Sequence, residues 1–167
     1  MIRRLEDFLQ GYDQLSQGTQ KLLDALTDEQ LKRPVAEGHR TLGGVAWHIV
    51  TSTAEMMNRA GIGLTSVDAH AMPPASAKEM ADGYRRVSAE LKEALRTGWT
   101  DETLQVVDDM YGQRWPRGLT LAALQTHEVH HRGQMTVLLR QAGVRVPGLF
   151  GPSKEEWAQL GMEAPPY

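Results

Sequence analysis

The sequence predicts an all-α protein, a four-helix bundle, on three observations. Apolar residues recur at helical spacing in four long segments. Capping residues, glycine or proline bound those segments. No Asn-Gly or Asp-Gly turn stands between alternating strands, so nothing signals a β-hairpin. The 167 residues favour a single domain, 1–167, with a sizeable core.

The first helix is predicted over residues 2–26, where Leu5, Phe8, Leu9, Tyr12, Leu15, Leu22, Leu23 and Leu26 share a face. Gly11 and Gly18 weaken it by about 1 kcal/mol each relative to alanine. Thr27-Asp28-Glu29-Gln30 resembles a capping box for one short turn, bounded by Pro34. Residues 35–40 read as a loop. Thr41 can cap a second helix that runs to Ala60 and stops at Gly61. Residues 61–75 form a long loop with two glycines and two prolines. Ser76-Ala77-Lys78-Glu79 is a capping box opening a third helix, which ends near Gly98. Residues 98–119 are less regular and hold one short ordered turn. Thr120 can cap a fourth helix running to Ala142, with Gly143 as its stop. After a loop over 144–152, Ser153-Lys154-Glu155-Glu156 caps a short final helix.

Composition narrows the function classes. The net charge of -3 gives no electrostatic footprint for nucleic acid. With no cysteine, disulfides, thiolate ligands and a cysteine nucleophile are excluded, so any metal is held by His, Asp, Glu or water. No run of about 18 apolar residues is present to span a membrane. The N-terminus lacks the apolar stretch of a signal peptide, and the expected location is cytoplasmic.

Three of the six histidines fall in His127-Glu128-Val129-His130-His131. On a helix, His127 and His131 share one face, with Cβ atoms about 6 Å apart. Thr120, Leu124, Gln134 and Leu138 lie on the same stripe, which should face the core. One buried histidine is simply explained by hydrogen bonds, whereas a pair at this spacing on an apolar stripe points to a metal ion. His48, mid-way along the second helix, is the best third ligand. Three neutral imidazoles with an open position suit zinc, nickel or iron. Glu55, two turns beyond His48, is either a surface partner of Arg59 or a group that orients a ligating imidazole. Gln134 has the same orienting role open to it. His130 flanks the face, while His39 and His70 fall in loops and should be solvated.

With these residues in view, the chain resembles the DinB/YfiT-like superfamily. The likeness rests on Thr41-Leu42-Gly43-Gly44-Val45-Ala46-Trp47-His48-Ile49 and on Thr126-His127-Glu128-Val129-His130-His131-Arg132-Gly133-Gln134. His-x-x-x-His-Arg-Gly-Gln, in the second stretch, is the family's hallmark. The resemblance implies a bundle with a long crossover between its second and third helices, usually a homodimer. It implies one divalent ion (nickel, zinc or iron) on His48, His127 and His131, and a small-molecule substrate. Activities in the superfamily are mostly thiol-dependent transfers or isomerisations, with a low-molecular-weight thiol as cosubstrate. The name does not imply DNA binding.

The segment also fits H-E-x-x-H, in which Glu128 would be the base of a zinc peptidase. Context argues against this. No sheet is predicted to hold a substrate strand, and the longer metzincin pattern is broken by Gln134 and Val137. A distal ligand at Glu155 or Glu156 is not needed once His48 completes the set. Glu128 is then expected to be a solvent-facing or interhelical carboxylate. Three functions remain: transfer of a thiol to an electrophile, hydrolysis of a small amide or ester, and a non-enzymatic, stress-related metal-binding bundle. Trp47, Trp115 and the 61–75 and 144–152 loops are the expected pocket walls.

Overall fold

The computed structural model describes residues 1–166. Its four long helices are α1 (Leu5–Asp24), α2 (Leu42–Arg59), α3 (Ala77–Gly98) and α4 (Arg117–Gln141). Around the bundle, α1 packs on α3 and α4, and α2 packs on the same two helices. Thus α1 and α2 are diagonal, as are α3 and α4. The segments 25–41 and 99–116 cross these diagonals, while the long link 60–76 joins neighbours. The core is filled by Phe8, Tyr12, Leu22, Ile49, Met57, Met80, Tyr84, Leu91, Leu95 and Leu139, all buried.

Local chemistry sets the helix starts. The Thr41 Oγ1 accepts the Gly44 N–H at 3.1 Å, and the Ser76 Oγ accepts that of Glu79 at 3.3 Å. Two further N–H groups are satisfied from a distance. The Asp101 carboxylate accepts from Leu5 N–H at 2.7 Å, and that of Asp28 from Ala77 N–H at 2.7 Å. In the Thr27 to Gln30 box, the glutamine side chain accepts the Thr27 N–H at 3.0 Å. After Ser153, the expected short final helix is a 3-10 helix at Trp157–Leu160.

The irregular segment before α4 contains a hairpin, contrary to expectation. Strand β1 (Val107–Met110) pairs antiparallel with β2 (Gln113–Pro116). Its two turn residues, Tyr111 and Gly112, both have positive φ, +58° and +78°. This is the backbone that primed hairpin turns require. Tyrosine in place of asparagine or aspartate hid the signal. Helix α4 therefore starts at Arg117 directly after the strand. Thr120 is a buried interior residue, not a cap, and its hydroxyl has no partner. The hairpin rests on α2 and α4. Close by, a Cβ added at Gly118 would lie 2.2 Å from the Ile2 carbonyl oxygen, so only glycine lets the N-terminal segment approach α4.

Candidate metal centre

Helices α2 and α4 bring His48, His127 and His131 together. The Nε2 atoms of His48 and His127 are 3.2 Å apart, and those of His127 and His131 are 3.1 Å apart. The potential ligand atoms of all three lie within 4.8 Å of one another. The rings meet edge to face, with centroids 4.5 to 5.0 Å apart. A tetrahedral ion with metal–nitrogen bonds of ~2.0–2.1 Å needs donors about 3.3 Å apart, close to what is found. Three imidazole nitrogens pointing at one another cannot all be satisfied by each other's protons, so the donor set fits a cation placed between them.

The electrostatics agree. Burial, followed by the positive charge of Arg40 and the neighbouring imidazoles, pushes His48 down to about 4. His127 is pushed to about 4 by burial and then by His131, His130 and Arg40. His131 is lowered too, chiefly by burial, against the opposing effect of its bond to Gln134. All three are thus neutral near pH 7, the form that ligates metal. The Gln134 Oε1 lies 2.8 Å from the His131 Nδ1, which places the imidazole proton on Nδ1 and leaves the Nε2 lone pair facing the cluster. The Gln134 amide nitrogen meets His130 at 3.2 Å, and His130 itself is exposed. His39 and His70 are exposed, as expected.

A cavity of about 440 Å³ opens beside His48 and His127. Met56, Ala69, Ala123 and Trp115 supply apolar walls, and Tyr111 and Glu55 form its hairpin end. Glu55 pairs with Arg59, as one of its two readings expected, and also accepts the Tyr111 hydroxyl at 2.5 Å. Two of the expected walls lie elsewhere. Trp47 is buried against Gly83 of α3, with its Nε1–H donated to the Ala71 carbonyl at 2.7 Å. The 144–152 loop places Phe150 over Arg132 instead, with the guanidinium carbon 4.8 Å from the ring centre.

Glu128 points away from the histidines. It is 1% exposed, and one carboxylate oxygen accepts from Thr19 of α1 and Tyr84 of α3, each at 2.5 Å. It is an interhelical carboxylate, not a solvent-facing one. Glu155 is paired with Arg140, and Glu156 accepts the Gly148 and Ser153 N–H groups, so neither joins the cluster.

The DinB family model matches residues 1–164. The chain belongs to the DinB family. It is 44% identical over 165 residues to the uncharacterized protein YrdA of Bacillus subtilis (strain 168), covering 99% of each chain. A crystal structure of a DinB-like protein from Bacillus cereus ATCC 10987 superposes with a TM-score of 0.84 at 46% identity, covering 89% of this chain and 99% of that one. The fold is also shared with Bacillus subtilis YfiT, described as a probable metal-dependent hydrolase with an unusual four-helix bundle topology. There the TM-score is 0.67 at 17% identity, over 84% of this chain and 89% of YfiT.

Within this DinB-family bundle, helical spacing alone placed the three histidines on facing helices. It did not place Tyr111, which reaches the cavity only through the hairpin. The available signal was Tyr-Gly between two four-residue stretches, too short to show a convincing alternation. No helix among the described residues is long and apolar enough to cross a membrane.

Proposed function

We propose that this protein is a metal-dependent enzyme in which His48, His127 and His131 hold one divalent ion beside the 440 Å³ cavity. The single observation that carries this reading is the convergence of three neutral imidazole nitrogens at one end of an apolar cavity. Zinc, nickel or iron suits that donor set. Such an ion supplies a Lewis acid that lowers the pKa of a bound thiol or water.

The chain's own residues supply binding and positioning. Gln134 fixes the tautomer of His131. Neither carboxylate near the cluster is free to act as a base, since Glu55 is engaged by Arg59 and Tyr111 and Glu128 faces the opposite layer. Met56, Ala69, Ala123 and Trp115 offer a substrate apolar contact beside the histidines. With no cysteine in the chain, a sulfur nucleophile comes from a cosubstrate. The reaction proposed is transfer of a low-molecular-weight thiol to an electrophile. Hydrolysis of a small amide or ester is the second reading, favoured by the description of YfiT.

The test is elemental analysis with a conjugation assay. Purified protein should carry about one divalent ion per chain, and His127→Ala combined with His131→Ala should abolish it. Retention of the ion in that double variant overturns the site. Metal-dependent loss of thiol with a generic electrophile supports transfer. Metal-dependent cleavage of an activated ester without thiol supports hydrolysis.

A further inference from the structure

The hairpin end of the cavity has a chemistry of its own. Tyr111 is a non-glycine residue at φ +58°, a conformation that bulky side chains seldom adopt. Its ring is held there by three contacts. The hydroxyl donates to Glu55 at 2.5 Å, the Arg59 guanidinium lies 4.8 Å from the ring centre, and Trp115 meets it edge to face at 6.2 Å. Glu55 and Arg59 are themselves paired. Arg59 gives its Nε–H to Glu55 and does not line the cavity, so among the described residues the charged group facing a ligand at this end is the Glu55 carboxylate, which repels anions. The Thr51 and Ser52 hydroxyls donate to carbonyls of their own helix, at 3.1 Å to Trp47 and 2.5 Å to His48. What remains to meet a ligand is the face of an aromatic pair with Met56, Ala69 and Ala123.

We infer that Tyr111, braced by Glu55 and Arg59, is a specificity-determining residue that selects a substrate carrying an uncharged aryl or alicyclic group at the end remote from the histidines. This rests on the cavity beside the three histidines being the substrate site. The volume accommodates a bicyclic aromatic group. An anionic group at that end would face the Glu55 carboxylate, whereas a flat apolar group gains contact with Tyr111 and Trp115.

Two matched probes test it on the full chain as purified, by isothermal titration calorimetry. They are 2-naphthoate, with one charged end, and naphthalene-2,6-dicarboxylate, charged at both ends. Whichever end meets the histidines, only the second must present a carboxylate to Glu55. The dicarboxylate should bind at least about tenfold more weakly, and Glu55→Gln should narrow that ratio. Tyr111→Asn removes the ring while keeping a residue that tolerates positive φ, and should weaken 2-naphthoate by about tenfold. Ala123→Phe fills the cavity from α4 and should do the same without touching the turn. Equal affinity for the two probes, or 2-naphthoate binding unaffected by both Tyr111→Asn and Ala123→Phe, overturns the proposal. Metal content of the same samples reports on the three-histidine reading separately. Tyr111→Asn should leave it at the wild-type level. Tyr111-dependent binding in a protein without metal would overturn the metal reading and leave this one standing.

Discussion

His127 and Glu128 are chain neighbours that serve different layers of the bundle. The His127 Nε2 lies 3.2 Å from that of His48 on α2, while the Glu128 carboxylate lies 2.5 Å from the Tyr84 hydroxyl on α3. Successive helical residues are turned by roughly 100°, so a half-buried position at the edge of the core face and a fully buried one at its centre stand side by side. Glu128 occupies the centre, with Leu121, Leu124, Met135 and Leu139. The H-E-x-x-H string thus joins two separate features, a metal cluster facing α2 and a polar tie across α1 and α3.

That tie has a measurable strength. Burial raises the pKa of Glu128, against the opposing effects of its bonds to Thr19 and Tyr84 and of Arg132. A glutamine keeps the oxygen that accepts from Thr19 and Tyr84. Glu128→Gln should therefore change stability by no more than about 1 kcal/mol and leave metal content intact. Glu128→Ala leaves the Tyr84 hydroxyl without its partner and opens a void, and should cost about 2–4 kcal/mol. Urea denaturation and elemental analysis of both variants check this. Loss of metal in Glu128→Gln would return Glu128 to the site.

Gln134 should tune the metal without touching it. Its oxygen orients His131 through Nδ1. Groups that hold a ligating imidazole in this way typically contribute about 10–100-fold to metal affinity. Gln134→Ala should weaken zinc affinity within that range in a chelator competition assay, with all three ligands still present. An unchanged affinity would mean that packing alone sets the His131 ring.

What the sequence could reveal follows the range of the interactions involved. Thr41 and Ser76 act within one helical turn, and both caps sit where spacing put them. His48 was legible because α2 and α4 each show a helical period whose faces must meet. The caps supplied by Asp101 and Asp28 act across the fold, and no local pattern points to them. Thr120 resembled a cap because the true start of α4 is set by the hairpin before it. Glu128 was misplaced when the stripe was centred on His127. The buried set shows its centre one residue further on, and a carboxylate there is tolerated only because Thr19 and Tyr84 arrive from other helices.

The three imidazoles also set an acid limit for the metal-free protein. His48 and His127 are held at about 4 in the folded chain, and His131 is lowered as well, in each case chiefly by burial. Unfolding returns each to about 6.5. Between these values the unfolded chain binds protons that the folded chain excludes, so folding stability falls as pH falls. Their contribution is complete above about 6.5 and is lost progressively toward 4. Replacing one of these groups with a side chain that does not titrate should flatten that part of the profile. Urea denaturation of metal-stripped protein at intervals from pH 4 to 7 should therefore give a shallower dependence on pH for His127→Gln than for the wild type. The carboxylates common to both proteins cancel in the comparison. Parallel profiles would show that the His127 imidazole takes up its proton as readily in the folded chain as in the unfolded one, and is not held neutral for a metal.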